Sequence, residues 1–171
     1  MVSVPADPPR GGDMHVVVMP DGARIRTAAW RPTGTPRATI ILLNGRTEFI
    51  EKYHEVISEL VARDLAVWTC DWRGQGLSSR SLDNPHKSHI ADYVSYLDDL
   101  NTLLDSDLPE YAVEPRLALA HSMGGHLALR ILQERPGAFA ACVLSAPLID
   151  LPTGMWLGRP THALCRAGIQ A

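Results

Sequence analysis

The stretch Ala120-His121-Ser122-Met123-Gly124-Gly125 decides the fold, because it places a serine between a buried strand and a helix. The apolar run 117–119 precedes it, and a helical pattern over 127–132 follows it. Residues two places either side of such a serine must be small, since the strand and helix backbones nearly touch there. The stretch therefore predicts a nucleophile elbow, with Ser122 in a strained backbone that lifts its hydroxyl clear of the sheet. Alanine at 120, where the G-x-S-x-G pattern has glycine, adds only a methyl group.

Strand and helix patterns alternate along the rest of the chain. Segments 15–19 and 23–30 flank the turn Pro20-Asp21-Gly22 and predict an antiparallel hairpin. Continuous apolar runs predict buried strands, and apolar residues at helical spacing predict helices. The predicted strands are 38–43, 65–70, 116–120 and 140–144, and the predicted helices are 49–61 (capped by Thr47), 93–104 and 123–134. This order predicts an α/β fold with a mostly parallel sheet.

The composition narrows the class of protein. The 171 residues are 46% hydrophobic and 20% charged, which predicts one globular core. A net charge of −3 gives no electrostatic reason to expect nucleic-acid binding. Cys70, Cys142 and Cys165 form no CxxC pair, which favours a reducing compartment over a disulfide framework or a zinc site. Without a signal-peptide pattern at the start or an apolar run of about twenty residues, we expect a cytoplasmic protein with no transmembrane segment.

Three motifs occur in order along the chain: Asn44-Gly45-Arg46-Thr47-Glu48, Asp71-Trp72-Arg73-Gly74-Gln75-Gly76-Leu77-Ser78 and the stretch around Ser122. Together they resemble the α/β-hydrolase family of lysophospholipases and monoacylglycerol lipases. The strings GRTEFIEKY and DWRGQGLS most resemble its bacterial lysophospholipase L2 branch. The resemblance covers 16–151 and implies an α/β-hydrolase fold. It also implies hydrolysis of a lysophospholipid or monoacylglycerol ester through an acyl-enzyme on Ser122.

The resemblance assigns roles to single residues. The backbone N–H groups of Met123 and Arg46 would form the oxyanion hole that stabilises the negative oxygen of the tetrahedral intermediate. The residues expected to support them are Gly45, His121, Gly124, Asp71 and Arg73. Asp71 and Arg73 are expected to form local hydrogen bonds that brace the catalytic loops. The Arg46 side chain either recognises a lysophospholipid phosphate or projects into solvent, and the sequence leaves both open.

Other interpretations fit the remaining residues less well. The glycines at 74 and 76 lack the third glycine and following helix of a dinucleotide site. His86 and His89, with acids at 83 and 92, could hold a metal, but capping of the next helix by Ser88 or Asp92 is favoured. We expect no metal and no cofactor. Tyr53 is interpreted as a core helix position and His126 as part of a solvated helix face.

A catalytic serine needs a histidine base oriented by an acid, and in this family both follow the serine. The later candidates are Asp150 and His162. Asp150 matches the entrance of the family's inserted cap, and His162 lies in a segment broken by glycine and proline, so neither is assigned. We therefore expect a C-terminally truncated hydrolase. Its parts would be a flexible segment at 1–13, the N-terminal part of the core at 14–150 and the start of a cap at 151–171.

Two classes of function remain open at this point. The first is a serine ester hydrolase, within which amide cleavage of the serine-aminopeptidase kind is an alternative. The second is a truncated module without catalytic activity. The predicted partner is a small lipid or ester substrate, and contact with a membrane surface stays open. In a truncated fold the strand at 140–144 would form an exposed edge, which predicts self-association.

Overall fold

The computed structural model describes residues 11–84, 86–149, 155–156 and 159–160. A mixed sheet contains β1 (Asp13–Val18), β2 (Arg24–Trp30), β3 (Ala38–Leu43), β4 (Leu65–Cys70), β5 (Arg116–His121) and β6 (Ala141–Ser145). The helices are α1 (His54–Val61), α2 (Val94–Ser106), α3 (Leu108–Tyr111) and α4 (Met123–Glu134). Two short strands, β7 (Met155–Trp156) and β8 (Arg159–Pro160), pair with each other.

The strand order β1-β2-β4-β3-β5-β6 combines an antiparallel start with a parallel centre. β1 pairs with β2 and β2 with β4 in antiparallel fashion. The pairs β3–β4, β3–β5 and β5–β6 are parallel. The predicted N-terminal hairpin and mostly parallel sheet are therefore confirmed. Because β3 and β5 are parallel neighbours, the loops after their carboxyl ends meet at one edge of the sheet.

The two faces of the sheet are covered by different helices, which explains why β3 (ATIILL) is buried at all its positions. On one face, Ile40 and Leu42 share a core with Ile57 of α1. On the other face, residues of β3 pack in a larger core with α2 and α4. The members of that core include Ile41, Leu43, Leu100, Leu103, Leu127 and Ile131.

The segment before α1 differs from the prediction. A 3-10 turn (Ile50–Tyr53) precedes the α-helix, and no side chain caps either element. Thr47 has a positive φ of 62°, and its hydroxyl donates to the carbonyl of Arg46 at 2.6 Å. The prediction that Thr47 caps a helix over 49–61 was therefore wrong. The Thr47 side chain bonds within its own loop, and the 3-10 turn separates that loop from α1. The short α3 was also missed, since four residues carry no helical period.

The domain boundaries can be compared with the fold only in part. Residues 1–10 and most of 150–171 lie outside the described residues, so the flexible N-terminus and the cap stay predictions. Asp13, placed in the flexible segment, is the first residue of β1. β6 is the outer strand of the described sheet, and its Val143 is 62% exposed. Across the described part of the chain, no helix combines the length and apolarity that crossing a membrane requires.

Candidate active site

Ser122 occupies the sharp turn between the last residue of β5 and the first residue of α4. Its φ of 50° and ψ of −112° lie outside the conformations that L-residues ordinarily adopt. The helix starts so close to β3 that a Cβ atom built on Gly124 would lie 2.2 Å from the carbonyl oxygen of Leu43. A Cβ on Gly125 would lie 2.8 Å from the Cβ of Pro147. Glycine is therefore required at 124 by a backbone contact, as the elbow pattern predicts.

Backbone strain is concentrated at the edge of the sheet that carries Ser122. In the described ranges, the non-glycine residues with positive φ are Thr47, Asp64, Ser122 and Ala146. Thr47, Ser122 and Ala146 each lie in a loop that follows the carboxyl end of a strand, namely β3, β5 or β6. Strained residues of this kind persist where the surrounding structure fixes them, and they cluster at active sites. This edge is consequently the strongest candidate for a catalytic site.

Backbone and side-chain hydrogen bonds fix the elbow against the loop after β6. The Ser122 N–H donates to the carbonyl of Ser145 at 3.0 Å, and the Ser122 carbonyl accepts the N–H of Leu148 at 2.9 Å. His126 Nδ1 lies 2.9 Å from the carbonyl oxygen of Leu148, and the His126 ring packs edge-on against Tyr93. The prediction of a solvated face for His126 was wrong, because the chain after β6 folds back over α4.

The loop after β3 is anchored by Asn44. Asn44 is only 1% exposed. The side-chain Nδ2 of Asn44 donates to the backbone carbonyl of Cys70 at 2.9 Å. The backbone carbonyl of Asn44 accepts the indole N–H of Trp72 at 2.9 Å. These bonds tie the loop to the end of β4. In the described part of the chain, the backbone N–H groups of Arg46 and Met123 have no hydrogen-bond acceptor.

Glu48 is a member of this site that sequence analysis missed. Its Oε2 accepts the Gly45 N–H at 2.6 Å and the Tyr53 hydroxyl at 2.6 Å, and it lies 3.0 Å from His121 Nδ1. The half-buried Tyr53 packs against the core on the α1 side of the sheet, as expected of a core position, and its hydroxyl in addition binds Glu48. The sequence signal for Glu48 was its place in the motif 44–48, three residues after Gly45.

Asp71 joins the loop after β4 to β2 and to the 3-10 turn. The buried carboxylate lies 2.6 Å from Arg26 and accepts the N–H groups of Ile50 at 2.9 Å and Leu77 at 2.8 Å. Burial raises the pKa of Asp71, while the loop N–H donors and Arg26 act against that shift. A Cβ on Gly76 would lie 2.1 Å from the same carboxylate, so this glycine is required by close approach. Asp71 thus joins the loop after β4 to the 3-10 turn and to β2.

Arg73 differs from the predicted local bonding. Its guanidinium binds Asp99 of α2 through two hydrogen bonds of 2.8 and 2.6 Å, and it also contacts Asp21 in the β1–β2 turn. These pairs raise the pKa of Arg73. Asp71 and Arg73 therefore act in different places, although both lie in the loop after β4. Arg73 holds α2 and the hairpin together.

No base for Ser122 is found in the part of the chain that the structure describes. Ser122 Oγ has no hydrogen-bond partner among those residues, and both Asp150 and His162 lie outside them. No group of at least three His, Cys, Asp or Glu side chains in the described ranges could hold a metal ion. Near His86 and His89, Asp92 Oδ1 accepts the Val94 N–H at 2.9 Å. The N-cap position of α2 is Tyr93 and no side chain caps it, so the expected capping by Ser88 or Asp92 was wrong.

A mostly parallel sheet with a strained serine between strand and helix defines an α/β hydrolase. Comparison with known families agrees with this class. The Hydrolase_4 family model, described as "Serine aminopeptidase, S33", matches residues 34–169, and the chain belongs to this family.

Individual relatives are lipases and lysophospholipases. The chain is 34% identical to human monoglyceride lipase over 137 residues, which cover 80% of this chain and 44% of the relative. It is 35% identical to lysophospholipase L2 of Escherichia coli over 112 residues, covering 66% of this chain and 33% of the relative. A solved structure of Saccharomyces cerevisiae monoglyceride lipase superposes with a TM-score of 0.73 at 23% identity, covering 88% of this chain and 49% of that one. The chain thus spans less than half the length of these relatives.

Proposed function

We propose that the protein is a serine hydrolase of carboxylic esters, with a lysophospholipid or a monoacylglycerol as substrate. The observation that carries this proposal is the backbone of Ser122, which holds a positive φ of 50° between a parallel strand and a helix. Such strain is tolerated where a side chain must be presented in one orientation. The names of the relatives, monoglyceride lipase and lysophospholipase L2, favour an ester of a lipid.

In the proposed reaction, Ser122 Oγ attacks the ester carbonyl and gives up its proton to a general base. The carbonyl oxygen gains negative charge, which the Met123 and Arg46 N–H groups would stabilise. Removing one such donor typically lowers the rate about a hundred- to a thousand-fold. Collapse of the intermediate breaks the ester bond, protonates the alcohol leaving group and leaves an acyl-enzyme. Water then releases the fatty acid. None of the residues that the structure describes is assigned as the general base or as its acid partner.

Two features bear on the choice of substrate. Arg46 is exposed on the loop after β3, where its guanidinium can reach a phosphate or extend into solvent. The family description names a serine aminopeptidase, which keeps amide cleavage as the alternative activity. We therefore propose a comparison of fatty-acid release from a monoacylglycerol and a lysophosphatidylcholine with arylamine release from an aminoacyl anilide.

The wild-type chain is expected to hydrolyse at least one lipid ester, and Ser122→Ala is expected to abolish that activity. Ser106→Ala on α2 is the matched control, since Ser106 is exposed and its hydroxyl donates to the carbonyl of Thr102 within the same helix. A preference for the lysophospholipid that disappears in Arg46→Ala would assign the phosphate to Arg46. Cleavage of the anilide alone would favour the aminopeptidase alternative, and no turnover of any substrate would favour the inactive module.

The setting of the protein is part of the same proposal. The cysteine pattern favours a reducing compartment, so we place the protein in the cytoplasm. Contact with a membrane surface follows only if the lipid substrate is taken from a bilayer.

Self-association through β6 stays a prediction. Sedimentation tests it, because Val143→Lys on the exposed edge should restore a monomer while Val18→Lys, 59% exposed on the opposite edge strand, should not.

A further inference from the structure

A single carboxylate oxygen connects the two segments that would form the oxyanion hole. Glu48 Oε2 accepts the Gly45 N–H at 2.6 Å, directly before the residue whose N–H is the first proposed donor. The same oxygen lies 3.0 Å from His121 Nδ1, directly before the proposed nucleophile. Gly45 lies just after β3 and His121 is the last residue of its parallel neighbour β5, but the two are far apart in sequence. Glu48 therefore links these two positions through one oxygen atom.

The packing around Glu48 leaves little freedom to either segment. A Cβ atom on Gly45 would lie 2.7 Å from Glu48 Oε2 and 2.9 Å from His121 Nδ1. Any side chain at 45 would consequently push both groups away. The Tyr53 hydroxyl, from the end of the 3-10 turn, donates to the same oxygen at 2.6 Å and adds a third contact to it. The cluster also borders a cavity of about 350 Å³ that extends along α1 toward Val56.

The surroundings of Glu48 favour its ionised form at neutral pH. Burial alone would raise its pKa, but the hydrogen bonds from Tyr53, His121 and the Gly45 N–H lower the pKa to about 2. The other charge facing it is Lys52 Nζ, 3.3 Å from Oε1 and half exposed. An ionised acceptor makes shorter and stronger hydrogen bonds than a neutral one. The short bonds from Gly45 and Tyr53 fit that description.

We propose that Glu48 is a positioning residue that holds the loop at 44–47 and the elbow at 121–123 in one fixed relation, with Tyr53 and His121 as its partners. This inference rests on the proposed function of Ser122. Donors of an oxyanion hole act only when they are aimed at the place where charge develops. Loss of Glu48 should thus weaken stabilisation of the transition state more than binding of the substrate.

The kinetic test compares Glu48→Ala and Glu48→Gln with the full wild-type chain. We expect kcat of Glu48→Ala to fall by about ten- to a hundred-fold, the cost of a misplacement of about 1 Å, with KM changed less than about threefold. Glu48→Gln keeps one oxygen acceptor and should recover part of kcat. Glu55→Ala is the matched control, because Glu55 is exposed in the first turn of α1. An unchanged kcat in Glu48→Ala would overturn the proposal.

Amide hydrogen exchange tests the positioning role separately from catalysis. Peptides covering 44–49 and 120–124 should exchange faster in Glu48→Ala than in the wild type, and at the wild-type rate in Glu55→Ala. If Glu48→Ala does not fold, Tyr53→Phe removes one donor and should accelerate exchange in 44–49 alone. A wild-type chain without esterase activity would contradict the proposed function, and the exchange result would still decide the role of Glu48. Equal exchange in all variants would refute that role.

Discussion

The backbone of Gly124 lies against the carbonyl of Leu43 so closely that a Cβ atom at 124 would approach the oxygen to 2.2 Å. A neighbouring carbonyl, that of Asn44, would lie 2.6 Å from the same atom. Both contacts are with backbone, which cannot move aside as a flexible side chain can. The start of α4 is therefore held against the end of β3 by the absence of a side chain.

Gly124→Ala is expected to destabilise the fold by at least about 2 kcal/mol, since overpacking against rigid neighbours has costs of this order. Urea unfolding followed by circular dichroism measures the change. Gly34→Ala provides the control, because nothing lies within 4 Å of a Cβ atom there. Equal unfolding midpoints for the two variants would show that the close approach is absent in solution.

The strained backbone at Ser122 should reverse the usual order of stability between an alanine and a glycine variant. At an ordinary helical position alanine is more stable than glycine, by about 1 kcal/mol. At Ser122, where φ is 50°, we expect Ser122→Gly to be more stable than Ser122→Ala by about 1 kcal/mol, because glycine adopts this backbone without strain. Ser58→Ala and Ser58→Gly, at an exposed position of α1, should show the ordinary order, with alanine more stable than glycine. The same order at both positions would argue against a strained elbow.

Local patterns predicted the elbow well and its wider surroundings poorly. The small residues around Ser122 and the buried strand before it are neighbours in sequence, so their spacing alone predicted the turn. Glu48 reaches His121 across 73 positions of sequence, and no periodicity reports a contact of that kind. The Thr47 cap failed for a related reason: the Thr47 N–H bonds Gln75 of another loop, which holds the residue away from the helix.

Asp71 should be far more sensitive to neutralisation than an exposed acid. Asp71→Asn removes the buried one of the two carboxylates that pair with Arg26 and leaves only Glu51, so we expect a cost of about 2 kcal/mol, the order of a charged hydrogen bond. Glu59→Gln, which breaks an exposed pair with Arg63 on α1, should cost less than about 1 kcal/mol. Thermal unfolding of both variants measures the difference. A similar small cost for Asp71→Asn would mean that Asp71 is not a brace between the loops.

Glu48 also gives the protein a defined response to acid. Its pKa is lowered from 4.5 to about 2 in the folded chain, so ionised Glu48 stabilises the fold above pH 4.5. That contribution is lost as the pH falls from 4.5 toward 2, because the unfolded chain takes up the proton first. The stability difference between wild type and Glu48→Gln, from urea unfolding at a series of pH values, should shrink across this window. A difference independent of pH would contradict the ionised state.

The central claim is that Ser122 is an activated nucleophile, and labelling with a fluorophosphonate probe tests it most directly. The probe reacts with activated serines, and peptide mass spectrometry locates the adduct. We predict that the wild-type chain is labelled on the peptide containing Ser122, that Ser122→Ala removes the label and that Ser106→Ala retains it. A folded wild-type chain that takes up no label at Ser122 would contradict the claim.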